Sequence, residues 1–276
     1  MMKQSLNFVT ALSCEARALI DHYSLKKVSD KPFPLFHSEL ANQDTQVNLV
    51  VCGVGLMNAA TAVGWLGART QAMQCCWLNV GSAGHAVLDI GQAHLVHCSS
   101  QEGALRSHYP PLVATWPQGT VSLLSCVAPC SDYPDQQAVD MEASAFFQAA
   151  AKFSDTEVIQ SIKVISDNRE QGIEHLNADV IAELMQGSTA LITQYAEALL
   201  ALNTSVAWDS QAAMKALQHL RSSVSQRQQY SDLVSKHCAL GLMDKIEQSI
   251  MHANSINQVL QQLEDNLRAN PPKAVR

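Results

Sequence analysis

Cys76-Trp77-Leu78-Asn79-Val80-Gly81-Ser82-Ala83-Gly84 is an apolar run that stops at a glycine-bounded segment. Cys76 to Val80 reads as a buried strand, and Gly81 to Gly84 reads as the turn that closes it, where bare backbone can approach a ligand. The same punctuation recurs on both sides. Upstream, Phe8 to Leu12 predicts a strand ending at Ser13, with helical residues from Cys14 to Ile20. Val47 to Cys52 predicts another strand, stopped by Gly53-Val54-Gly55 before a helix over Met57 to Leu66. Downstream come strands over Ala93 to Cys98 and Ser122 to Val127, the latter in a region broken by Pro110, Pro111, Pro117, Pro129 and Pro134. A helix over Asp140 to Lys152, a strand over Val158 to Ile165 ending at Ser166-Asp167, and a long amphipathic helix over Ala178 to Leu202 complete the pattern. Strands alternating with helices predict an α/β fold, a three-layer αβα sandwich around a central mixed, largely parallel sheet. Ligands bind beyond the carboxyl ends of strands in such sheets, where these glycine-rich and acidic stops fall.

The chain has 276 residues, 47% of them apolar, which permits one large domain or two smaller ones. Residues 1–203 carry the α/β pattern, and residues 204–276 read as a helical C-terminal extension. Ser205 to Leu267 is rich in Gln and Ser; Ala212, Leu217, Leu220 and Val224 have helical spacing, Leu233, Leu240 and Ile246 to Leu267 continue it, and Pro271-Pro272 ends it. A packing or oligomerisation element is the expectation there. Net charge is −7 with 16% charged residues and no basic stripe, so nucleic acid is not an expected partner. The eight cysteines form no CxxC pair and no Cys/His set with zinc spacing. Reduced thiols in a cytoplasmic protein, with no metal, are expected. Leu6 to Leu12 is short, contains Asn7 and Thr10, and runs into Glu15 and Arg17, so it is read as a strand rather than a signal segment. No run approaches a membrane span, and no membrane partner is expected.

Taken in order, Ala11-Leu12-Ser13-Cys14-Glu15-Ala16, Gly53-Val54-Gly55-Leu56-Met57-Asn58-Ala59-Ala60, Asn79-Val80-Gly81-Ser82-Ala83-Gly84 with Asp89-Ile90-Gly91, Val139-Asp140-Met141-Glu142-Ala143 and Ile165-Ser166-Asp167 form a set. This set resembles the nucleoside phosphorylase/nucleosidase superfamily, and within it the methylthioadenosine/S-adenosylhomocysteine nucleosidases. The resemblance spans roughly residues 5 to 200 and leaves out the tail. It implies a nucleoside phosphorylase-like fold, hydrolysis of a purine (adenine) nucleoside at its N-glycosidic bond, no cofactor, and a homodimer or larger homo-oligomer.

The chemistry of that bond asks for such residues. Its cleavage produces an oxocarbenium-like sugar and an anionic base, so an acid is needed at the base and an activated nucleophile at the anomeric carbon. By resemblance, Asp167 protonates the purine and Ser166 orients Asp167 or touches the base. The bland alternative for Asp167 is an Asx turn or helix N-cap. By resemblance, Glu15 holds and deprotonates the attacking water, against the alternative of a surface Glu in a first helical turn. Cys14 is a rival nucleophile without a paired His. Glu142 would accept hydrogen bonds from two ribose hydroxyls, with Met141 as an apolar surface under the sugar. Asp140 suits the ordinary role of an acidic helix start. Gly81 and Ser82 would contact the ligand or the attacking water.

Water or phosphate could be the attacking group. Phosphate needs cationic partners, and phosphorylases resembling this chain often carry an Arg just before the Gly-Ser segment, where Asn79 stands here. A glutamate in the nucleophile pocket would repel phosphate, so hydrolysis is expected. A phosphate-dependent phosphorylase and a non-catalytic nucleoside sensor are the alternatives. The departures from the family are His85 after the glycine segment, Asn168-Arg169-Glu170 after Asp167, and a short region from His97 to Val139. Within that region Tyr133 is the candidate for the aromatic that stacks on the base.

Overall fold

The computed structural model describes residues 4–40, 45–70, 74–130, 132–206, 217, 220–239, 242–251 and 253–270. Its centre is strand β1 (Gln4–Thr10), flanked in parallel by β4 (Thr45–Val51) and β5 (Gln74–Gly84), with Phe8 level with Leu49 and Leu78. Parallel strands buried on both faces read as continuous apolar runs, which is why these three were visible in the sequence. Alternate residues feed two separate cores. Leu6, Phe8, Leu49 and Leu78 pack with Leu19 of helix α1 (Ser13–His22) and with Ile192, Tyr195 and Leu199 of α4 (Ala178–Val206). Val9, Val50 and Trp77 pack instead with Ala62, Val63 and Leu66 of α2 (Leu56–Thr70) and Phe146 of α3 (Ala143–Ala150).

The sheet is mixed, in the order β2-β3-β4-β1-β5-β8-β7-β6-β9, and it closes because β5 also pairs with β9. Here β2 is Lys26–Ser29, β3 Leu35–Glu39, β6 Ala93–Gln101, β7 Thr120–Ser125, β8 Gln137–Asp140 and β9 Ile159–Asp167. Strands β5, β8, β7, β6 and β9 therefore form a closed barrel with parallel and antiparallel neighbours. The α/β class and the mixed sheet stand, but the sheet closes into a partial barrel where a three-layer sandwich was expected. The physical cause lies in β5, which runs on through Gly81 to Gly84. That segment is the end of a strand, not a turn: Gly81, Ser82 and Ala83 pair with Lys163, Val164 and Ile165, and a register shift brings Gly84 opposite Asp167. Helix α3 also starts later than expected, because Asp140 ends β8 and Glu142 is the N-cap residue of the helix.

The chain divides into two compact units, at Asn203/Thr204. In the second unit, α5 (Val224–Ala239), α6 (Met243–Met251) and α7 (Ile256–Ala269) bury Tyr230, Leu233, Val234, Ile246 and Leu263 in one cluster. Helix α7 shows the cause plainly: Ile256, Val259, Leu260 and Leu263 fall on one stripe, and the Ser255 hydroxyl caps the helix by accepting from Gln258 N at 3.3 Å. Ala212, Leu240 and Pro271-Pro272, which entered the sequence expectation for this part, lie outside the described residues. Among the described residues, no helix is long and apolar enough to cross a membrane.

Candidate active site

Glu15 lies in the first turn of α1, where an exposed acid would be ordinary, yet it is only 3% exposed. Its Oε2 accepts from the backbone N–H groups of Ala11 and Leu12 at 3.0 and 2.9 Å. Its Oε1 accepts from Ser82 N and Ser82 Oγ, both at 2.8 Å. The carboxylate thus ties the end of β1 to the end of β5. A Cβ on Gly81 would come within 3.0 Å of Glu15 Oε1, so glycine there is what lets the carboxylate approach. The neighbouring Cys14 thiol is pushed up by burial and by Glu15, which keeps it neutral and makes it a poor nucleophile.

Asp167 is the last residue of β9 and is buried. Ser166 Oγ donates to its Oδ1 at 2.5 Å and Tyr133 Oη donates to its Oδ2 at 2.5 Å. Tyr133 is therefore a hydrogen-bond donor to the acid, a contact the sequence did not indicate. A Cβ on Gly84 would lie 2.5 Å from both Asp167 Oδ2 and Tyr133 Cε1, so the last glycine of β5 makes room for this pair. The two outer glycines of the quoted segment thus each face a carboxylate, Gly81 facing Glu15 and Gly84 facing Asp167.

Glu142 is buried beside the glycine bend after β4. Gly53 and Gly55 have φ of +82° and +110°, which L side chains rarely adopt, and the Gly55 N–H donates to Glu142 Oε1 at 2.8 Å. The backbone N–H of half-buried Met141 lies 3.3 Å from Glu142 Oε2. Burial pushes the Glu142 carboxyl up to about 7; Lys163 opposes this, while Asp140 and Glu15 add to it. Burial and the charges of Glu142 and Glu15 also push the Cys52 thiol up to about 12.

Lys163, in the middle of β9, was missed by sequence reading. It is wholly buried and its Nζ pairs with Asp140 Oδ2 at 2.8 Å. Burial works against its charge, but Asp140 and Glu142 hold it above the ordinary lysine range. Asp140 also accepts from Ser125 Oγ at 2.6 Å and from the N–H of Ala143, the first residue of α3, at 2.9 Å. The one available signal was a lysine within Val158 to Ile165, a run that reads as a buried strand. Asn79 stitches three strands: its side chain donates to Val9 O at 3.2 Å and accepts from Ser161 Oγ at 2.9 Å. His85 is held in its loop, its Nδ1 accepting from Val87 N and Leu88 N at 3.1 Å, and burial lowers its basicity.

No family model matches the chain, and no curated protein matches it. Solved structures do. The chain is similar to a 5′-methylthioadenosine/S-adenosylhomocysteine nucleosidase from S. pneumoniae bound to a transition-state inhibitor, with a TM-score of 0.59 and 17% identity over 71% of this chain and 100% of that one. It is similar to the corresponding nucleosidase from Neisseria meningitidis, with a TM-score of 0.54 and 19% identity over 70% of this chain and 99% of that one. It is also similar to a futalosine hydrolase of Helicobacter pylori, with a TM-score of 0.55 and 13% identity over 69% of this chain and 96% of that one. These neighbours are members of the nucleoside phosphorylase/nucleosidase superfamily, and the likeness is one of fold.

Proposed function

We propose that the chain is a nucleosidase that hydrolyses the N-glycosidic bond of an adenine nucleoside with a modified 5′ carbon, such as methylthioadenosine or S-adenosylhomocysteine. The observation that carries this reading is the seating of two buried carboxylates, Glu15 and Asp167, against the two glycines at the end of β5. Glu15 prepares the water and Asp167 supplies the acid for the departing base. Ser82 Oγ is the only side-chain donor among the groups on Glu15, so a water can take its place without breaking backbone contacts. Ser166 orients the acid, while Gly81 lets the nucleophile pocket come close to backbone. Glu142 receives the ribose hydroxyls and Met141 lies under the sugar. The cation in this cluster, Lys163, is engaged by Asp140, which supports water rather than phosphate as the nucleophile. Incubating the protein with methylthioadenosine, with and without phosphate, should release adenine and free methylthioribose at equal rates. Phosphate-dependent formation of the sugar 1-phosphate would sink the hydrolase reading.

A second reading, a sensor that binds nucleosides without cleaving them, is favoured by one observation: both oxygens of Asp167 are already engaged by hydroxyls. Absence of turnover across adenine nucleosides, with binding intact, would select it. A homodimer or larger assembly of the α/β unit belongs to the same proposal, with Met57, Val87, Leu105, Tyr109 and Val127 as exposed apolar side chains it could cover. Light scattering should then return at least twice the mass of one chain.

Glu142 sets an expected pH dependence. Its carboxyl, pushed up to about 7, must be ionised to accept from two hydroxyls. Binding of a nucleoside analogue should therefore strengthen as pH rises through about 7 and weaken below it, and Glu142→Gln should flatten that profile. The sign for stability is opposite: the folded form holds this proton more tightly than an unfolded glutamate, so its contribution falls as pH rises from about 4.3 toward 7. Calorimetric titration across this range checks the binding claim, and a wild-type affinity that does not vary with pH would refute it.

A further inference from the structure

The acid assigned to the base is held by two hydroxyls. Oδ1 is occupied by the Ser166 hydroxyl and Oδ2 by the Tyr133 hydroxyl, each at 2.5 Å, and both oxygens are buried with their donors. A proton that leaves Oδ2 along its existing hydrogen bond passes to Tyr133 Oη. The structure pins Tyr133 from three sides. Arg169 Nη2 donates to its backbone carbonyl at 3.1 Å and to Asp135 Oδ1 at 2.7 Å, clasping the segment that carries it. Its ring lies against Gly84, where a Cβ would come within 2.5 Å of Cε1. Ala86, Cys126 and Val139 pack with it in one apolar cluster. Arg169 belongs to the stretch in which the chain departs from its resemblance, and Tyr133 to the shortened region facing it, so the two departures meet at the same point.

We propose that Tyr133 is a catalytic residue, the proton relay between Asp167 and the leaving base. This rests on the nucleosidase reading. As the glycosidic C–N bond breaks, its electron pair goes to the base. A base nitrogen takes the proton of Tyr133 Oη, and Tyr133 takes the proton of Asp167 Oδ2 in the same movement. Water, losing a proton to Glu15, forms the new C–O bond of the sugar. The relay ends with a neutral phenol donating to an Asp167 carboxylate, which is the arrangement described here, and a proton from solvent resets it. Burial and the adjacent Asp167 raise the phenol above its ordinary range, so Tyr133 keeps a proton at rest and gives it up only as another arrives.

The test uses the full chain and the nucleoside that the wild type cleaves. Tyr133→Phe should lower kcat by about 10²–10³-fold with KM within a few-fold, the size of effect expected for loss of a proton donor. Asp167→Asn should fall similarly, and the double variant should be no slower than the worse single one, because two residues in one relay act as a unit. The wild-type proton inventory in mixed H₂O/D₂O should curve, with two protons in flight. Site-specific 3,5-difluorotyrosine at position 133, nearly isosteric and still a proton carrier, should restore turnover even if the Phe variant folds poorly. Wild-type kcat in Tyr133→Phe, losses that multiply in the double variant, a linear inventory, or failure of difluorotyrosine to restore turnover would each overturn the relay while leaving hydrolysis intact. A wild type that cleaves no adenine nucleoside would overturn the nucleosidase reading, and the relay with it.

Discussion

Glu15→Gln is expected to lower kcat by about 10²–10⁴-fold, the usual contribution of a positioned general base. The reason is the donor set around the carboxylate. Two backbone N–H groups point at one oxygen, and the N–H and O–H of Ser82 point at the other. An amide can satisfy only one side with its oxygen. Its NH₂ must then face donors, and the Ser82 hydroxyl can rotate to accept while the Ser82 N–H cannot. One buried donor is left unpaired, at a cost of about 1–3 kcal/mol. Stopped-time assays of adenine release, beside calorimetric binding of a nucleoside analogue, separate the two effects. Turnover within tenfold of wild type would remove Glu15 from the chemistry.

Lys163→Met is expected to destabilise the folded chain by about 3–5 kcal/mol, because removing one member of a buried ion pair leaves an uncompensated charge. Asp140 would keep its bonds from Ser125 Oγ and Ala143 N, but the ammonium paired with it would be gone. Glu142 would lose the charge that opposes its protonation, so nucleoside binding should move to higher pH as well. Urea unfolding of Lys163→Met, Asp140→Asn and the double variant measures the coupling. If the double variant loses the sum of the two single losses, the pair contributes nothing as a pair.

What the sequence disclosed follows from what burial does to composition. Strands β1, β4, β5, β6 and β9 are sheltered and read as apolar runs. Strands β2 and β3 escaped because β2 is exposed along most of its length and Pro32 and Pro34 stand between them. Strand β8 escaped because four residues, Gln137–Asp140, are too few to show a period. The carboxylates Glu15, Glu142 and Asp167 were singled out through the resemblance of the ordered motifs, since each alone also fits an ordinary turn or helix start. Lys163 was not, since nothing local says that its partner is Asp140, 23 positions earlier. The Gly81–Gly84 segment misled for a related reason: glycines were taken as marks of chain reversal, whereas two of them clear space for carboxylates beside an extended strand. Tyr133 entered the sequence reading as the candidate for stacking on the base, and the structure puts its hydroxyl on Asp167.

The pairing of β5 with β9 has a consequence for how copies of this chain can meet. Each of the five barrel strands has a neighbour on both sides, so none of them is a free edge strand. Among the described residues the sheet ends at β2, whose Lys26 and Lys27 are exposed and whose pairing with β3 is interrupted by a bulge. Short, charged and irregular strands of this kind resist growth of a sheet from one molecule into the next. Strand-to-strand polymerisation is thereby discouraged at this margin, which leaves side-chain surfaces as the places where two copies could meet.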